Sequence, residues 1–263
     1  MSDPIANDAI FRVDGHKIVT GPGAAGPWDP TMQHGAAPSS LVTWIAEQLP
    51  SPAPMQIVRL TVDLLRPVPV APLTFETEIL REGRKIQLIG ISLFAQGIIV
   101  VRASVLRIRI AQPSLPDDII DKPLNWPGFD DSRQLNHNTS RNPFLAGLSM
   151  HAAHGDFLTL GPAAIWYRLD RPIVEGQPVS QVMRAVVASD FCNGTSALLD
   201  FRTYTFINAD LSVSLARPPV GDWILLDAES WIGPGGSGIA AAKLGDIHGY
   251  FGRAVQSLVI EKR

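Results

Sequence analysis

Asp190 stands in the stretch VVASDFCNG (186–194), where an apolar helical pattern breaks off ahead of Asn193-Gly194. A carboxylate is disfavoured at this end of a helix, because the macrodipole is negative there. Two readings stand open. The side chain closes an Asx turn with Cys192 or Asn193, or it serves as a base or an orienting group for a water. Cys192 has no histidine near it in sequence, so it reads as a small packed hydrophobe rather than a nucleophile. The stretch SMHAAHGDF (149–157) holds His151, His154 and Asp156. A metal would need further ligands on a fixed scaffold, so this reads as a polar loop and no metal site is expected. GPGAAG (21–26) has the spacing of a dinucleotide loop, but PWDP follows where a phosphate-holding helix should begin. It reads as a plain loop. No G-x-S-x-G is present, so a serine nucleophile elbow is unsupported.

The elements that must position Asp190 follow from periodicity. Val179, Val182, Met183, Val186 and Val187 share one helical face, as do Leu41, Trp44, Ile45 and Leu49. Strand-like runs come after each helix: 56–66, 73–82, 86–95 and 98–110, then 201–216, 223–232, 238–245 and 250–261. REGRK and GPGGSG supply the turns between them. The chain also repeats itself. Shifting RLTVDLLRPVPV (59–70) by 151 residues lays Leu60, Val62, Leu64, Arg66 and Pro67 on Leu211, Val213, Leu215, Arg217 and Pro218. The same shift lays Arg102-Ala103 on Arg253-Ala254. A period this long means two copies of one fold rather than a solenoid. Residues 111–145, rich in Pro, Asn and Asp, read as the linker between a first copy at 1–110 and a second at 146–263.

Composition narrows the function. The 263 residues are 46% hydrophobic, enough for a large core or a core with an apolar cavity. A net charge of -3 without a basic block argues against nucleic-acid binding. A single cysteine excludes an internal disulfide and a cysteine-based zinc site. The N-terminal stretch MSDPIANDAIF lacks the pattern of a secretion signal, and no apolar run is long enough to span a membrane. A soluble cytoplasmic protein is the expectation.

A helix wrapped by an antiparallel sheet, present twice, resembles the double hotdog fold: α+β, two antiparallel sheets each around a central helix, with the sheets of the two modules joined. RLTVDLLRPVPVAPLTFETEILREGRKIQL, FINADLSVSLARPPVGDWILLDAES and the terminal RAVQS resemble the type II acyl-CoA thioesterase-like family. That resemblance implies a catalytic trio in the second copy: an Asp ending the helix, a polar residue, commonly Thr, before the strand that leads to Arg-Pro, and a Gln in the last strand. Asp190, Asn208 and Gln256 occupy those positions. Asn208 replaces the hydroxyl residue, and its amide both donates and accepts. In the first copy Val105 stands where Gln256 stands in the second, so one polar site per chain is implied. His34-Gly35, at the entrance of the first helix, is the expected substrate-binding pair, with Gly35 close to the thioester oxygen.

The resemblance implies hydrolysis of an acyl-CoA thioester, with no metal or redox cofactor, in a homo-oligomer. The rival class is a non-catalytic acyl-CoA or lipid binder with the same apolar groove. A hotdog hydratase would carry a D-x-N-P-x-H-type motif, and none occurs. Gln256 shares strand parity with Ala254, Leu258 and Ile260 and so faces the apolar side. Asn208 has the opposite parity to Leu211 and Val213, and only a bulge near Ala209-Asp210 would aim it at the same side. Arg81, Arg84 and Lys85 read as a solvated hairpin turn rather than a phosphate contact.

Overall fold

Strand alternation is strongest in IQLIGISLFA, where buried and half-buried residues strictly alternate; only a sheet with one covered face satisfies that pattern. The computed structural model describes residues 9–116, 122–136, 142–157 and 159–263. The first half holds β1 (Phe11–Asp14), β2 (Lys17–Thr20), α1 (Ala36–Gln48), β3 (Met55–Leu64), β4 (Leu73–Glu82), β5 (Ile86–Ala95) and β6 (Ile98–Arg109). The second begins with β7 (Arg133–Gln134), β8 (Leu148–His154), β9 (Ala163–Leu169), α2 (Gln181–Ser189) and α3 (Cys192–Thr195). It ends with β10 (Tyr204–Asn208), β11 (Asp210–Leu215), β12 (Trp223–Ile232), β13 (Ser237–Asp246) and β14 (Gly249–Lys262).

The two expected sheets are joined edge to edge into a single sheet among the described residues. Fourteen strands run in the order β1-β2-β4-β5-β6-β3-β11-β14-β13-β12-β9-β8-β7, with β10 also on β14. The two halves join where β3 and β11 pair antiparallel. Here Thr61 lies opposite Ser212, Leu60 opposite Val213 and Val62 opposite Leu211. Residues equivalent under the 151-residue shift are thus placed symmetrically about Thr61 and Ser212. The shift also holds one strand further out: Ala103 pairs with Val62, and Ala254 with Val213. Leu60, Val62, Leu211 and Val213 all point into the core. Each contributes about 1.5–3 kcal/mol by leaving water, which is why the register does not slip.

The two helices lie against each other on the covered face. Ten of the thirteen α1 residues are buried, so this helix is held by surroundings rather than by one stripe. Ser180 caps the α2 N-terminus and ties it to α1. The Ser180 hydroxyl oxygen accepts the Met183 amide at 3.1 Å, and the hydroxyl donates to Glu47 of α1 at 2.7 Å. Burial raises the Glu47 carboxyl above its ordinary range, against the opposing pull of the Ser180 bond and the Arg107 charge.

Of the expected linker, residues 117–121 and 137–141 lie outside the described residues. The stretch 122–136 packs on the uncovered face of the second half. The Trp166 indole donates to Pro127 O at 2.9 Å, the Phe129 ring stacks on Trp223 at 5.1 Å, and Trp126 stacks on His154 at 4.7 Å. A Pro- and Asp-rich composition concealed the three apolar anchors Leu124, Trp126 and Phe129, which cover a small second core.

An ion pair between half-buried Arg217 and buried Asp246 locks the turn after β13. Arg217 grips Asp246 through both guanidinium nitrogens. The amides of Val220 and His248 add bonds of 2.7 and 2.8 Å. Burial pushes the Asp246 carboxyl up, but Arg217 and the two amides outweigh it and hold it below its ordinary value. Asp246→Asn should therefore cost about 2–4 kcal/mol, read as a lower urea midpoint at unchanged slope. In the wild type this contribution is whole above pH 3.8 and fades as pH falls through the lowered folded-state value.

Candidate active site

Asp190 ends α2 in helical geometry, and its carboxylate is 2% exposed. Buried at the negative end of a helix, it needs donors, and three converge on it. Asn208 Nδ2 donates to Oδ1 at 3.0 Å and Gln256 Nε2 to the same oxygen at 3.2 Å. His34 Nδ1 lies 2.9 Å from Oδ2. Gln256 Nε2 also donates to the Asp190 carbonyl at 3.1 Å, satisfying one of the acceptors a helix leaves open at its C-terminus.

Each donor is aimed by its element. Between Asn208↔Leu258 and Ser212↔Val255 the β10–β11 side advances four residues while β14 advances three. The extra residue, Ala209, is a bulge that puts Asn208, which shares a face with buried Phe206, on the same side as Leu211 and Val213 despite their opposite parity. Gln256 points inward from β14 and is 0% exposed. Its Oε1 accepts the Asn193 amide at 3.1 Å, which fixes Nε2 toward Asp190. Asn193 is itself held by a 3.1 Å bond from its side chain to Phe206 O.

His34 precedes α1 and is packed between Phe144 and Phe191, with ring centroids 5.0 and 4.6 Å away. A carboxylate only accepts, so Nδ1 carries the hydrogen and donates to Asp190. The Ala36 amide, 3.2 Å from the same nitrogen, is then not bonded to it. Gly35 is required by contact. A Cβ there would lie 2.7 and 2.9 Å from the two carboxylate oxygens. At Gly26 a Cβ would lie 3.1 Å from the His34 backbone, so GPGAAG serves to bring its loop against this histidine.

A cavity of about 750 Å³ opens on this cluster. His34, Gly35, Asp190, Asn193 and Asn208 form its polar wall, and Leu64, Val68, Leu145, Phe157, Phe191 and Phe201 are among its apolar ones. Gln256 sits behind Asp190 and is not part of the lining.

The sequence placed the catalytic trio in the second copy and the substrate-binding pair His34 and Gly35 in the first; the geometry brings both sets against Asp190. His34 was expected to touch substrate and is also a direct partner of Asp190. Nothing in the sequence indicated Asn193, whose role rests on a backbone amide. Cys192 is buried, and burial followed by the Asp190 charge pushes its thiol far up, so no thiolate is available. His151 binds Phe129 O at 2.8 Å, and Asp156 accepts from Arg133 and Thr159. Among the described residues no three His, Cys, Asp or Glu side chains group as metal ligands. Arg81, Arg84 and Lys85 are exposed at the β4–β5 turn and do not line the cavity.

Comparison with known proteins gives a consistent result. The acyl-CoA thioesterase N-terminal domain model matches residues 24–108, and the acyl-CoA thioesterase C-terminal domain model matches residues 120–260. No curated protein sequence gives a match. Among solved structures, a conserved protein of unknown function with hot dog fold from Alicyclobacillus acidocaldarius superposes with a TM-score of 0.77 at 13% identity, covering 97% of each chain. The acyl-CoA thioesterase II TesB2 of Mycobacterium marinum gives 0.67 at 18% identity, over 87% of this chain and 88% of that one. A tesB protein from Mycobacterium avium subs paratuberculosis gives 0.65 at 16%, over 95% of both. These likenesses establish a hot dog fold.

Gly35→Ala tests the contact between loop and carboxylate. The added methyl should cost about 1–3 kcal/mol through overpacking and break the His34–Asp190 bond. A lowered Tm together with a displaced Asp190 in a crystal structure would register both.

Proposed function

We infer that, in this chain, which belongs to the acyl-CoA thioesterase family, a water held at Asp190 carries out the hydrolysis. The reaction converts an acyl-CoA thioester to the free acid and coenzyme A. The observation that carries the assignment is an accounting of lone pairs. A carboxylate offers about four acceptor sites. Asn208 and Gln256 fill those of Oδ1, and His34 takes one on Oδ2. The remaining site on Oδ2 is left for a water, in a cavity that Asp190 lines.

Asn208 Nδ2 is occupied by Asp190 and, at 3.4 Å, by Asp210 O, which leaves its carbonyl oxygen to accept the second hydrogen of that water. The water oxygen attacks the thioester carbonyl as its proton passes to Asp190. The oxyanion is met by the amide of Gly35, which caps α1 at the positive end of that helix and lines the cavity. Collapse breaks the carbon–sulfur bond, and the leaving thiolate takes the proton from Asp190. Gln256 and Asn193 act by positioning. The binder reading drew on Asn208 standing where a hydroxyl is usual, yet Asn208 both grips the carboxylate and retains an acceptor.

The finer architecture we propose is a double hotdog whose units, 1–110 and 146–263, have merged their sheets at β3 and β11 around α1 and α2. We place the protein in the cytoplasm, where the buried thiol of Cys192 stays reduced. A homo-oligomer belongs to the same reading: Trp231 and Ile239 are register partners on β12 and β13, yet 51% and 47% exposed. Sedimentation should give a mass above one chain.

Asp190→Asn should lower kcat for acyl-CoA esters about 100-fold or more while ester binding persists. Thiol release across a panel of acyl chain lengths is the measurement. An unchanged kcat in this variant would remove Asp190 from the mechanism. Gln256→Ala should lower kcat and Tm together, because it strips a donor from a buried carboxylate.

A further inference from the structure

Both halves carry Arg-Pro just past equivalent strands: Arg66-Pro67 after β3 and Arg217-Pro218 after β11. Their surroundings differ most in charge. Under the 151-residue shift β5 (Ile86–Ala95) coincides with β13 (Ser237–Asp246), so Ala95 stands where Asp246 stands. Arg217 is neutralised by that aspartate. Arg66 donates to Ile99 O at 2.9 Å and, among the described residues, has no carboxylate at ion-pair distance. It is exposed, and among the described residues it is the one Lys or Arg in the lining of the cavity. Asp29, also in the lining, is turned to the Thr31 amide and hydroxyl at 2.8 and 2.7 Å. The repeat has thus kept an arginine at the cavity while dropping the acid that silences its counterpart.

We propose that Arg66 is the anion-binding residue of the substrate site and takes a phosphate of the coenzyme A portion of the thioester. The proposal rests on the acyl-CoA reading. Coenzyme A is the part of such a substrate that carries fixed negative charge. A guanidinium offers a planar fork of donors that fits phosphate oxygens, and here its charge is uncompensated. The apolar walls take the acyl chain, and Arg66 sets which end of the substrate stays outside.

The test compares Arg66→Gln with the wild-type protein, using coenzyme A itself in titration calorimetry and paired esters in kinetics. Expected are a roughly tenfold weaker Kd for coenzyme A and a similar rise in KM for an acyl-CoA. KM for the same acyl group on N-acetylcysteamine, which lacks phosphate, should not move, and Arg66→Lys should recover part of the loss. Ala95→Asp, which gives Arg66 the partner that Arg217 has, should reproduce the loss with the guanidinium still present. An unchanged Kd for coenzyme A overturns the proposal, as does an equal rise in KM for both esters. An effect confined to N-acetylcysteamine esters of dicarboxylic acids overturns it too, because the anion is then a carboxylate of the acyl group. If no thioester is hydrolysed at all, the hydrolysis reading fails by itself, and the calorimetry still decides Arg66.

Discussion

A negative charge buried at the negative end of a helix is the constraint around which the molecule is arranged. An unpaired buried carboxylate costs several kcal/mol, and the α2 dipole adds to that cost. The cost is met by donors from three distant parts of the chain: His34 before α1, Asn208 at a bulge, and Gln256 within β14. Each requirement propagates. His34 needs its loop close by, so Gly26 and Gly35 carry no side chain. Gln256 needs a fixed amide, so Asn193 holds it. A fold that positions these donors poorly is less stable as well as inactive, which couples folding to the site.

The first half shows what the same position looks like without this demand. At the end of α1 it is a buried cation, Arg107, that donates to Leu49 O at 3.1 Å and to Gln87 Oε1 at 3.0 Å. Positive charge at a helix C-terminus is the favourable sign. That cation offsets the carboxylate of Glu47 in the last turn of α1, whereas Asp190 at the end of α2 is met by His34, Asn208 and Gln256, with no lysine or arginine at ion-pair distance among the described residues. Local discomfort of this kind is where function is expected, because stability alone would not select it.

Much of this was legible in the sequence. The strands at 73–82, 86–95 and 223–232 follow directly from alternation and glycine turns, and the helix stripes gave α1 and α2. The repeat anticipated the symmetric register, because apolar side chains at matching positions must face the same core. The three side chains at Asp190 were implied by family resemblance, and their parity conflict was visible as the need for a bulge at Ala209. Three features were hidden for physical reasons. Joining of the two sheets was expected, but which strand edges meet was not, because edge pairing leaves no periodic mark. The Asn193 contact is made by a backbone amide, which every residue except proline carries. The packed linker relies on three isolated aromatic and aliphatic residues within a turn-forming composition.

The join between β3 and β11 also imposes an order in time. β3 leaves the ribosome about 150 residues before the strand that will cover its edge; at 5–20 residues per second it waits roughly 8–30 s. During that interval the first half presents an open strand carrying Leu60 and Val62, of the sort that invites pairing with another nascent chain. The alternating Arg59, Thr61 and Asp63 on its outer side are then gatekeepers of synthesis as well as surface residues of the finished sheet.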